Sequence, residues 1–72
     1  MLLQNRVKEL RARFDLTQEM LAVKVGVTRQ TIAAIEKGSY TPSLLLGLKI
    51  CDVFQVRTEE VFWIIKKEEG ER

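Results

Sequence analysis

The sequence predicts a small all-α protein of five helices, and three observations carry that reading. Apolar residues recur at spacings of three and four along nearly the whole chain. No segment shows the period-two alternation of a half-buried strand. Residues that start and stop helices stand at the ends of the periodic stretches. The 72 residues have room for one domain, expected over residues 1–67, with a charged, fraying tail at 68–72. A chain of this size buries roughly 60% of its unfolded surface, so self-association is a reasonable expectation.

The first helix is expected from Gln4 to Phe14, with Val7, Leu10 and Phe14 on one side. Asp15 and Leu16 connect it to Thr17, an N-cap whose hydroxyl can accept an orphan amide of the next turn. The second helix then runs from Gln18 to Val25 and buries Leu21, Ala22 and Val25. Gly26 stops it, because glycine takes the left-handed conformation without a Cβ clash. Thr28 caps a third helix that ends at Lys37 and Gly38. Two helices of about two turns joined by only Gly26-Val27-Thr28 cannot lie antiparallel; they cross steeply as a helix-turn-helix. Thr41-Pro42 reads as the start of a fourth helix reaching Phe54, with proline at the first helical position. Thr58-Glu59-Glu60 reads as the start of a fifth, ending near Lys67.

Composition narrows the function. There is no histidine, no Gly-rich phosphate loop and a single thiol, so neither an active site nor a metal or cofactor site is expected. No apolar run approaches the ~20 residues of a membrane span. The opening Met1-Leu2-Leu3-Gln4-Asn5-Arg6 lacks the apolar stretch of a secretion signal. The lone Cys51 reads as a small buried hydrophobe in a reducing, cytoplasmic setting. Net charge is only +2, but residues 1–40 hold seven Lys/Arg against four Asp/Glu, and residues 41–72 hold five against six. Such a split suits one face for phosphates, and chance unevenness in a short chain suits it equally.

The third helix says more. At ~100° per residue, Ile32, Ile35, Glu36 and Thr28 fall on one side and Gln30, Ala33, Ala34 and Lys37 on the other, with Arg29 on the flank. Alanines are good helix formers anywhere, but this stripe sits on the second helix of a tight helix-turn-helix, which docks with its N-terminal residues at base edges. Small residues allow close approach, glutamine pairs bidentately with adenine, and arginine with guanine. Gln18 opens the second helix, whose free amides form an anion site, and phosphate contact is expected there. Arg11 and Glu36 each lie within an apolar stripe, so they are expected to pair across the protein rather than reach water separately.

The segment Leu16 to Gly38, with its L-T-Q-x-x-L-A, G-V-T-R-Q-T-I and I-E-K-G markers, resembles the Cro/phage-repressor type of helix-turn-helix regulator. Pro42-Ser43-Leu44 and Val61-Phe62 extend the likeness over roughly residues 4–65. The resemblance implies a five-helix, lambda-repressor-like domain, a homodimer on a pseudo-palindromic operator, and control of transcription. It implies phosphate contact at Gln18 and base or backbone contacts at Thr28, Arg29, Gln30 and Thr31, with Ala34 and Lys37 as further contacts. Tyr40 stands where either phosphate contact or packing is implied. Members of the family also carry an Arg–Glu pair at the Arg11 and Glu36 positions.

The back half is too apolar for one buried face. Leu44, Gly47, Leu48, Cys51 and Phe54 read as the core stripe of the fourth helix, leaving Leu46, Ile50 and Val53 beyond it. Val61-Phe62-Trp63-Ile64-Ile65 would point all round the fifth. The surplus predicts a twofold dimer built from these two helices, with Trp63 and Ile64 near its centre; the alternative is packing on the first helix and on Met1-Leu2-Leu3. The expected function is sequence-specific recognition of double-stranded DNA by a nucleoid-associated repressor that senses no small molecule. The alternatives are an autoregulator that also binds a toxin, and a protein-interaction adaptor on the same fold.

Overall fold

The computed structural model describes residues 2–66 and comprises β1 (Leu2–Asn5), α1 (Val7–Arg13), α2 (Gln18–Val25), α3 (Arg29–Lys37), α4 (Leu44–Phe54), α5 (Thr58–Val61) and β2 (Phe62–Ile65). The charged tail expected at 68–72 lies outside the described residues. Five helices form, but the protein is not strictly all-α. β1 and β2 pair antiparallel, with Leu2 opposite Ile65, Leu3 opposite Ile64, Gln4 opposite Trp63 and Asn5 opposite Phe62.

The ribbon shortens two expected helices. Gln4 and Asn5 belong to β1, so α1 starts at Val7, and α5 is a single turn that gives way to β2. The cause is the run Val61 to Ile65. As a helix it would expose several large side chains, whereas a strand of β-branched and aromatic residues sends alternate ones to opposite faces. Phe62 turns inward, close enough that a Cβ built on Gly47 would stand 3.7 Å from its ring. Trp63 faces the other way, where the Arg6 guanidinium lies 4.9 Å from its ring centroid. The Arg6 amide donates to the Val61 carbonyl at 3.0 Å, extending the ladder to the start of α1.

One core unites the helices: Val7 and Leu10 from α1, Leu21, Ala22 and Val25 from α2, Ile32 and Ile35 from α3, with Val61 beneath the ribbon. The α4 contribution differs from expectation. Its buried stripe is Leu46, Gly47, Ile50, Cys51 and Phe54, so Leu46 and Ile50 are core residues and not available to an interface. Leu44 and Leu48, expected inside, are 76% and 46% exposed. Val53 is half-buried against the core, Trp63 is half-buried, and Ile64 is 57% exposed. The start of α4 also moves: the Ser43 hydroxyl, not that of Thr41, caps it by accepting from the Leu46 amide at 3.1 Å. At α5 the N-cap position is Arg57 rather than Thr58, and the Glu60 carboxylate accepts the Arg57 amide at 2.9 Å.

Cys51 is buried, and burial pushes its thiol up from the ordinary range, opposed by a hydrogen bond with Thr58. The glycine stops hold. Gly26 and Gly38 have φ of +77° and +86°, and a Cβ at either would meet no atom within 4 Å. Only the backbone conformation therefore opposes a side chain there. Gly26→Ala is expected to lower stability by about 1 kcal/mol with an unchanged denaturant slope, read from urea midpoints.

Candidate nucleic-acid interface

Local chemistry fixes the two helices of the interface. The Thr17 hydroxyl accepts the Met20 amide at 3.0 Å and opens α2. The Thr28 hydroxyl accepts the Thr31 amide at 3.3 Å and opens α3. Between them Gly26 turns left-handed, and the Val27 amide reaches back to the Ala22 carbonyl at 3.0 Å, while the Val27 side chain packs on the core. The short connection is thereby anchored at both ends, and α3 is held across α2 with its N-terminus outward.

Ile32 and Ile35 point into the core. Arg29, Gln30 and Lys37 are exposed, and Thr31, Ala33 and Ala34 are half-buried. The outer stripe is therefore open to solvent and carries the guanidinium, amide and ammonium groups that base edges and phosphates accept. Thr28 and Thr31 are partly committed to one another, their hydroxyl oxygens 3.1 Å apart. Tyr40 is exposed in the loop after α3, beside Lys37 and the N-terminal strand.

Beneath this face lies a charged cluster. The Arg11 Nε donates to Glu36 Oε2 at 2.7 Å, and its Nη2 donates to Oε1 at 3.3 Å. The remaining Arg11 nitrogen, Nη1, donates to the Leu16 carbonyl at 2.8 Å. The side chains are only 16% and 5% exposed. Gln18 joins them, its Nε2 donating to Glu36 Oε1 at 3.1 Å. A carboxylate can only accept, so this bond fixes which way the Gln18 amide faces. One Nε2 hydrogen and the Oε1 lone pairs remain for an outside partner, at the N-terminus of α2 where anions are favoured. Arg11 and Glu36 thus meet, and they bring α1, the start of α2 and α3 to one point.

Two residues were not anticipated from the sequence. Lys8 lines the same shallow hollow as Gln18, Ala33, Glu36 and Lys37, which puts another cation on this face. Among the described residues, Lys8, Arg29 and Lys37 enter none of the ion pairs. The signal was the position of Lys8 one helical turn before Arg11, on the side of α1 that meets α3. Asn5 is the other; its Nδ2 donates to the Ile35 carbonyl at 3.0 Å and its Oδ1 accepts the Val7 amide at 3.0 Å.

The likeness to known proteins follows the same elements. Residues 7–61 match a family model described as helix-turn-helix. An uncharacterised HTH-type transcriptional regulator of Bacillus subtilis, YgzD, is 64% identical over 62 residues, covering 86% of this chain and 94% of that protein. An uncharacterised HTH-type transcriptional regulator of Archaeoglobus fulgidus is 47% identical over 70 residues, 97% of this chain and 99% of its own length. Among solved structures, the restriction-modification controller protein C.AhdI of Aeromonas hydrophila superposes with a TM-score of 0.71 at 33% identity, over 76% of this chain and 83% of that one. A Bacteroides fragilis chain shares the fold at a TM-score of 0.78 and 24% identity, over 86% of this chain and all of that one (100%).

Proposed function

The chain belongs to the Cro/C1-type helix-turn-helix family of DNA-binding transcriptional regulators, and from that premise we propose that it binds a pseudo-palindromic operator as a homodimer, with α3 of each protomer in the major groove. The observation that carries this reading is the open outer stripe of α3, where Arg29, Gln30 and Lys37 are exposed while Ile32 and Ile35 anchor the opposite side. Arg29 and Gln30 read base edges. Thr28, Thr31 and Ala34 lie against the groove, and Ala34 contributes contact surface rather than a hydrogen bond. Gln18, Lys8, Lys37 and Tyr40 take phosphates, which position the protein without carrying sequence information. No described helix is long and apolar enough to cross a membrane.

The dimer surface keeps Ile64 from the sequence-based expectation and takes Leu44 and Leu48 in place of the buried Leu46 and Ile50. Alternate residues of a strand share a face, so Ile64 looks the same way as Phe62, past the end of the core contact at Gly47. Leu44 and Leu48 flank that glycine on α4 and are exposed as well. We take these apolar side chains, with Leu45 and beside the exposed Lys49 and Asp52 of the same α4 side, as the dimer surface. A twofold axis through it sets two α3 helices ~34 Å apart, one turn of duplex. Repression follows simply, since an occupied operator excludes other proteins from the same DNA.

Selection from random duplexes tests the reading directly and is expected to return two related half-sites at fixed spacing. On that site, Arg29→Ala or Gln30→Ala is expected to cost ~1–3 kcal/mol of binding and to relax preference at one base pair. Equal losses on scrambled DNA, in a salt-matched gel-shift series, would remove both residues from base reading. No enriched motif at all would favour an adaptor role instead.

A further inference from the structure

We infer that Asn5 is a positioning residue for α3, the side chain through which the terminal ribbon sets where the recognition helix stands in the DNA-bound dimer; the inference rests on the dimeric DNA-binding reading above. Three facts converge on this residue. Its backbone pairs with Phe62 in the ribbon. Its Oδ1 accepts the Val7 amide at 3.0 Å and so serves the first turn of α1. Its Nδ2 donates at 3.0 Å to the Ile35 carbonyl, 30 residues away in the last turn of α3.

The chemistry suits asparagine specifically. One end of the side chain must accept and the other must donate, in two directions at once, and the amide does both without charge. The Ile35 carbonyl belongs to the last turn of α3, where carbonyls lack partners four residues on. It receives the Gly38 amide at 3.0 Å in the tight stop and the Asn5 amide as its second donor. On its other side α3 is held by Glu36 to Arg11 and Gln18. Asn5 therefore completes a second clamp, and this one leads into the ribbon that also presents Ile64. Asn5 pairs with Phe62, and Ile64 of the candidate dimer surface stands two positions further along the same strand, opposite Leu3.

The consequence is geometric. Two α3 helices on one duplex must keep a fixed separation to engage both half-sites. A loosened clamp leaves each protomer able to bind one half-site but blurs the distance between the two. Asn5→Ser retains a capping oxygen for the Val7 amide and removes the donor to Ile35. Asn5→Asp also keeps the acceptor for Val7 and removes the donor, its charge favoured by the start of α1 and opposed by the Ile35 carbonyl; the two variants guard against a folding defect peculiar to either.

The test is fluorescence anisotropy on the selected operator, on a single half-site, and on operators with spacers one base pair longer and shorter. Both variants are expected to bind the single half-site within about twofold of wild type and to lose roughly fivefold on the correct operator, the scale of one hydrogen bond. They are also expected to bind the wrong spacers nearly as well as the right one. An unchanged spacing profile in both variants overturns the role of Asn5, as does an equal loss on single and paired half-sites, which is what a merely structural residue gives. Wild-type protein indifferent to spacing would instead refute the dimer reading, and the inference with it.

Discussion

Arg11→Ala is expected to remove ~3–5 kcal/mol of folding stability, the range found when one partner of a buried ion pair is deleted. Glu36 is the reason. Its side chain is 5% exposed, and the substitution strips it of the guanidinium contacts at 2.7 and 3.3 Å, leaving Gln18 as its donor. The Leu16 carbonyl loses its 2.8 Å donor in the same step, which loosens the connection between α1 and α2. Small domains have about 5–15 kcal/mol in total, so the variant should sit near the edge of folding at room temperature. Urea unfolding followed by circular dichroism measures the cost. The double variant Arg11→Met with Glu36→Leu should recover much of it, because two matched apolar groups leave no buried charge behind. A loss below about 1 kcal/mol for Arg11→Ala would place the pair with ordinary surface bridges.

The second large effect concerns assembly. Leu48→Glu combined with Ile64→Glu is expected to give a folded monomer that binds a single half-site normally and loses ~100-fold or more on the paired operator. The protomer should tolerate both changes, since the side chains are 46% and 57% exposed and neither belongs to the core. A dimer would have to bury four carboxylates against one another, and like charges in an apolar contact have no compensation. Sedimentation velocity reads the mass, and anisotropy on the two duplexes reads the avidity. A variant that still sediments as a dimer would move the interface elsewhere on the molecule.

Much of the interface was readable in the residues, and the reasons are local. Thr17 and Thr28 cap the helices they were expected to cap, and Gly26 and Gly38 close them in the left-handed conformation. Period and capping together orient α3, so the inward isoleucines and the outward stripe follow without tertiary information. The Arg11–Glu36 contact was also readable, because two opposite charges on apolar stripes leave few alternatives.

The ribbon was not readable, and its partners explain why. Leu2–Asn5 and Phe62–Ile65 lie at opposite ends of the described chain, so neither shows its pairing in its own neighbourhood. A short apolar run does not distinguish strand from helix by periodicity. The enrichment of Phe62, Trp63, Ile64 and Ile65 in aromatic and β-branched types was the available arbiter. The phase of α4 failed for a related reason. Leu44, Leu45 and Leu48 make even its outer side largely apolar, so only Lys49 and Asp52, three residues apart and both exposed, marked the phase. Ser43 displaced Thr41 as the cap because two capping hydroxyls stand within one turn, a choice that only the entry angle of the chain decides.

The ribbon also sets the order in which the molecule can become complete. Leu2–Asn5 is synthesised before Phe62–Ile65, so β1 waits, unpaired and uncharged, while the helices between the two strands are made. The helical body relies on nearby contacts, which form fast, whereas closing the ends is the slowest kind of step for a chain of this size. A nascent copy therefore has α3 before it has the strand pairing, and the Asn5 bond to the Ile35 carbonyl is expected to settle only once Phe62–Ile65 has emerged.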